Sequence, residues 1–112
     1  MNLKKMIKSF VKSDEFVSAV VSSTNAGFGG SGYSVEFFQD GTHRVLWDNQ
    51  IGNLYASPGV IVGIPQLSES QLEEVDEDNG EPIEEVIKFY RDDFLANMLD
   101  AAEFAEAGGI WQ

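Results

Sequence analysis

The chain has 112 residues and carries 19 acidic side chains against seven lysines and arginines, a formal charge of −12. That length fits one domain spanning residues 1–112, and 43% hydrophobic and 12% aromatic residues are enough for a modest core. The charge excludes direct binding to nucleic acid or to an anionic membrane surface, and the lack of cysteine excludes disulfides, thiolate catalysis and cysteine-ligated metals.

The N-terminal run MNLKKMIKSFVKS lacks the continuous apolar core of a secretory signal, and no stretch reaches the length of a membrane span. Leu3, Met6, Ile7, Phe10 and Val11 recur at amphipathic-helix spacing, which predicts a helix from about Asn2 to Ser22. Ser13 interrupts it, so one bent helix and two short ones are equally compatible with the pattern. Residues 22–32, SSTNAGFGGSG, read as a loop.

Tyr33 to Trp47 has the pattern of a β-hairpin around Gln39-Asp40-Gly41. A type I turn followed by Gly41 in the left-handed region sets Tyr33 opposite Trp47, Val35 opposite Val45 and Phe37 opposite His43 on one face. Glu36 then meets Arg44 on the other. The competing two-residue loop would place Phe37 against Arg44, so pairing of apolar with apolar and acid with base favours the first register. A turn at 48–50, a short strand over 51–56, a turn at 57–59 and a buried or central strand at Val60–Ile64 follow. Ser68 to Gln71 fits a capping box, with Leu67 and Leu72 at the staple positions, opening a short helix from Glu69 to about Asp76. Residues 77–82 form a turn, and a long helix runs from about Pro82 to Ala107 before Gly108-Gly109. Its apolar stripe runs from Ile83, Val86 and Ile87 through Tyr90, Phe94 and Met98 to the alanines, widened by Phe89, Leu95, Leu99 and Phe104.

The expected fold class is therefore α+β. An N-terminal helix, an antiparallel three- to four-stranded sheet, a short helix and a long C-terminal helix pack in two layers.

Three motifs fail on inspection. Gly27 to Gly32 matches G-x-G-x-x-G, but a helix precedes it and a strand follows, the reverse of a dinucleotide-binding turn. With Gly80 at position 6 of a calcium loop, the first and last ligand positions fall on Val75 and Val86, which have no oxygen ligand to offer. His43 is the only histidine and is expected to pack or sit half-exposed opposite Phe37 rather than serve a triad or a zinc site. No cofactor is implied and no catalytic set emerges, so the expectation is a protein that is not an enzyme.

Charge is distributed unevenly along the chain. Residues 1–12 carry +4, residues 13–68 carry −4 and residues 69–112 carry −12. The lysine face of the first helix is expected either to be solvated or to lie near the acidic C-terminal half. Glu73, Glu74, Asp76, Glu77, Asp78, Glu81, Glu84 and Glu85 place eight carboxylates within thirteen residues, and Asp92 continues the series. Carboxylates spaced by a few ångströms approach the charge density of a phosphate backbone.

In size, acidity and lack of catalytic residues the chain is similar to small nucleic-acid-mimicking inhibitors such as phage anti-defence proteins, and to immunity proteins that neutralise toxins. It is a likeness of class and composition. It implies a cytoplasmic, non-enzymatic module whose partner is a basic, nucleic-acid-handling protein, engaged through those nine carboxylates and Trp111. The alternative expectation is a homo-oligomeric adaptor, with the C-terminal helix and Ile110-Trp111 making a homodimer contact.

Overall fold

The computed structural model describes residues 2–25, 32–47, 59–75 and 80–107. The N-terminal region is two helices, α1 (Leu3–Val11) and α2 (Asp14–Asn25). The Asn2 side chain accepts the Lys5 N–H at 3.1 Å and starts α1, whose predicted stripe of Leu3, Met6, Ile7, Phe10 and Val11 is buried. Ser13 both ends α1 and begins α2. Its backbone N–H and its hydroxyl donate to the Phe10 carbonyl at 3.0 and 2.5 Å, and its Oγ accepts the Phe16 N–H at 3.3 Å.

Helix α2 extends three residues beyond the expected Ser22, into what the sequence presented as loop. Its last turn is stitched to the sheet by polar side chains. Buried Ser23 accepts the Tyr33 N–H at 3.1 Å, and Thr24 Oγ1 accepts the Leu67 N–H at 3.1 Å. These contacts give Ser23 and Thr24 partners that replace solvent, so the helix continues through them.

The strands β1 (Tyr33–Phe37), β2 (His43–Trp47) and β3 (Val60–Gly63) form an antiparallel sheet in the order β2-β1-β3. The hairpin register is the expected one, from Tyr33 opposite Trp47 to Phe37 opposite His43. Gly41 has φ 93° and donates to the Phe38 carbonyl at 3.1 Å, while the Asp40 carboxylate accepts the Thr42 N–H and hydroxyl at 2.9 and 2.6 Å. The same two bonds from Thr42, the hydroxyl's first, hold the Asp40 carboxyl below the usual carboxylate range.

Among the described residues β3, expected as a buried or central strand, is an edge strand buried on one face. β1 takes the middle because it pairs with both neighbours, and β3 alternates, with Val60 and Val62 buried and Ile61 and Gly63 outward. The expected strand over 51–56 lies outside the described residues.

Helix α3 (Glu69–Leu72) carries the full capping box. Ser68 accepts the Gln71 N–H at 3.2 Å, and Gln71 Oε1 accepts the Ser68 N–H at 2.8 Å. It ends after one turn instead of reaching Asp76. Apart from Leu67 ahead of it, nothing in the segment is buried, and Leu72, expected as half of a staple, is 39% exposed. A short helix without an apolar face has little beyond its cap to sustain it.

The long C-terminal helix is likewise divided, into α4 (Ile83–Phe89) and α5 (Arg91–Ala107), with Tyr90 at φ −90°, ψ 6° between them. Hydrogen bonds still cross the junction, from Tyr90 N–H to Val86 and from Phe94 N–H to Tyr90, both 3.1 Å. The bend lets α4 pack on α2 through Val86 and Ile87, while α5 lays Phe94, Met98, Ala102 and Ala105 against α1 and β3.

The helices cover the sheet face that carries Val35, Phe37, Val60 and Val62. On the opposite face Glu36 is fully buried. Its Oε1 accepts from Arg44 Nε at 2.7 Å, and its Oε2 has no hydrogen-bond partner among the described residues. Gly59 lies against it so closely that a Cβ there would sit 2.5 Å from Glu36 Cγ and 2.8 Å from the Phe37 carbonyl oxygen.

Two stability changes are expected. Ser13→Ala removes the joint stop and cap and lowers stability by about 1 kcal/mol. Gly59→Ala, which must displace backbone, costs about 2 kcal/mol. Urea unfolding checks both as a fall in midpoint at constant slope.

Candidate functional site

Sequence density of acid translates into a definite surface around α3, α4 and the start of α5. Glu73, Glu74, Glu81, Glu84, Glu85 and Asp92 are all exposed. Asp76, Glu77, Asp78 and Trp111, expected as part of the same surface, lie outside the described residues.

Local structure explains part of the arrangement. Val75 and Glu81 form an isolated parallel bridge, which brings Glu74 close to Glu81. Glu84 and Glu85 occupy the first turn of α4, and Asp92 and Asp93 that of α5, where negative charge is favourable beside unpaired helix N–H groups. Tyr90, at the bend, donates its hydroxyl to Glu74 Oε2 at 2.6 Å and so fastens the α4–α5 junction to the segment after α3.

Glu74, Glu81 and Glu85 converge on one cleft of about 540 Å³, completed by Val86, Lys88 and Phe89. Glu73, Glu84 and Asp92 lie on the surface without lining it. Lys88 reaches Glu85 at 3.6 Å, a loose pair with both side chains about half exposed. Phe89 is 79% exposed. The sequence placed this phenylalanine in the buried stripe. The signal that separates it is its position four residues after Glu85, which puts the two on one helix face, turned from Ile87.

Phe104 was expected to widen the same buried stripe and is instead 85% exposed. It shares a shallow hollow with Asp100 and Glu103, so two copies meeting there would bring like charges together.

The basic pole is α1. Lys4 pairs with Glu103 of α5 at 3.3 Å, which places the N-terminal lysines beside the acidic C-terminal helix. Lys5, Lys8 and Lys12 are exposed and hold no ion pair among the described residues. His43 packs on the rings of Phe10 and Phe37, with centroids 5.1 and 6.0 Å away, and its Nε2 lies 2.5 Å from Glu15 Oε1. Among the described residues no group of three or more histidine and carboxylate side chains is placed to hold a metal ion, and no helix is long and apolar enough to cross a membrane.

The molecule is a mixed α+β protein with a carboxylate-rimmed cleft beside an exposed aromatic ring. Compared with protein families, curated proteins and solved structures, the chain matches none.

The bond to Glu74, reinforced by burial and by the negative charge of Glu74 and Asp93, raises the Tyr90 phenol above its ordinary value. A group raised on folding stabilises the fold fully below its unfolded pKa, about 10 for tyrosine, and ceases to do so as pH climbs through the folded value. An ultraviolet tyrosinate titration is expected to show a late-titrating phenol. Tyr90→Phe should remove it, and Glu74→Gln should return it toward the ordinary value.

Proposed function

We propose that the protein is a non-enzymatic binding module whose acidic surface engages the basic face of a nucleic-acid-handling protein and competes there with the nucleic acid. The observation that carries this reading is the display of Glu73, Glu74, Glu81, Glu84, Glu85 and Asp92, all exposed, around a single neighbouring ion pair among the described residues, that of Glu85 with Lys88. Surfaces of this kind repel themselves and weaken the fold that carries them. A partner with a complementary basic groove would relieve that repulsion, and attraction between opposite fields would speed encounter. A cysteine-free chain suits a reducing cytoplasm as the place of that encounter.

Immobilised protein offered a lysate at low salt should retain a DNA- or RNA-binding protein and release it as salt rises. The triple variant Glu73→Gln, Glu84→Gln, Asp92→Asn should bind that protein about tenfold less tightly, and added duplex should displace the wild type. Retention that ignores both salt and the triple variant would sink the reading.

A further inference from the structure

A cleft that is apolar at its wall and acidic at its rim is more selective than an acidic surface alone. Phe89 and Val86 provide carbon, with the phenylalanine 79% exposed, and Glu74, Glu81 and Glu85 provide charge around the same space of about 540 Å³. That volume falls in the range of sites that hold small ligands, about 300–1,000 Å³. A solvent-facing phenylalanine beside three carboxylates attracts a group that is flat, cationic and weakly hydrated, because such a group gains from the ring face and from the acids together.

We propose that this cleft seats an arginine side chain presented by a peptide segment of the partner, its stem along Phe89 and Val86 and its guanidinium between Glu81 and Glu85. The inference rests on the reading of the acidic surface as a protein-binding face, and names what that face recognises.

The surrounding contacts suit such an occupant. Glu81 has no ion pair or side-chain hydrogen bond among the described residues, so its carboxylate is available. Glu74 is oriented by the Tyr90 hydroxyl, which fixes the far side of the rim. Lys88 holds Glu85 only at 3.6 Å, in an exposed i, i+3 pair of the kind that contributes little to stability. An incoming guanidinium can take over that carboxylate in two-pronged geometry, which an ammonium cannot match. Phe89 faces solvent on the same side of α4 as Glu85, so the seat is a product of the fold as well as of composition.

The test uses the full chain and two fluorescent peptides of equal length and charge, one alternating glycine with arginine and the other glycine with lysine. By anisotropy, the arginine peptide is expected to bind at least about fivefold more tightly. Phe89→Ala should erase that preference while leaving lysine-peptide affinity within about twofold, since lysine gains less from the ring. Phe104→Ala, an equally exposed ring elsewhere, should change neither affinity. Lys88→Gln should strengthen arginine-peptide binding about twofold by freeing Glu85. Amide shift changes should centre on Glu81, Glu85 and Phe89, and free arginine should compete only at far higher concentration.

Equal affinity for the two peptides, a preference that survives Phe89→Ala, or absence of binding would each overturn the seat. The failures of the two readings differ. If the Glu73, Glu84, Asp92 triple variant weakens both peptides with no arginine preference, the broad acidic surface stands and the seat falls. If the preference persists while that triple variant has no effect on partner binding, the seat stands and the broad charge-driven reading falls.

Discussion

One aromatic junction holds the elements together. The Phe10 ring of α1 meets Phe16 of α2, Phe37 of β1 and His43 of β2 edge-on, with centroids 5.8, 5.9 and 5.1 Å away. Phe16 reaches on to Phe94 of α5 at 6.2 Å. Five elements drawn from both ends and the middle of the chain are therefore tied through four phenylalanines and a histidine. Edge-to-face pairs of this kind add directional preference to the area they bury. The direction matters because α1 and α2 share a break at Ser13, and the Phe10–Phe16 contact fixes the angle between them. The hairpin is held to the helices by the same Phe10 ring, through Phe37 and His43.

The C-terminal half depends on that junction through Phe94. Phe94 is seated against Phe16 while α5 runs along α1 and β3, and Val86 and Ile87 of α4 pack on α2. At the surface Phe89 lies toward solvent, and the Tyr90 hydroxyl stands where Glu74 can accept from it. The carboxylate-rimmed cleft therefore sits on the outer side of helices whose inner side forms the core.

What the sequence made legible were the features governed by local rules. The α1 stripe, the hairpin register with its glycine at positive φ, and the Ser68–Gln71 capping box follow from spacing and turn chemistry over fewer than about fifteen residues, and all are present. The features it hid depend on partners distant in the chain. A continuous apolar stripe from Ile83 to Ala105 carries no mark of the bend at Tyr90, because the bend answers to two separate packing surfaces. Ser23 and Thr24 read as loop because their hydrogen-bond partners stand about ten and forty residues away. Glu36 meets Arg44 as its register implies, but its full burial is a feature that the strand spacing does not announce. For the candidate surface, composition located the acids but could not separate those that gather on the cleft from those that only border it. The bridge between Val75 and Glu81 makes that separation.

The acids of the surface also differ in why the fold tolerates them. Glu84, Glu85, Asp92 and Asp93 sit in first turns of helices, where unpaired N–H groups favour negative charge, so each has a local reason to be acidic. Glu74 has Tyr90. Glu81 precedes the Pro82 cap of α4, outside the helix, and it stands beside two other carboxylates with no side-chain partner of its own among the described residues. Local structure would be served as well by a neutral residue there, and repulsion from Glu74 and Glu85 makes a charged one unfavourable. A charge that the fold does not use, at the mouth of a cleft that also exposes a phenylalanine, is what the proposed arginine seat would draw on.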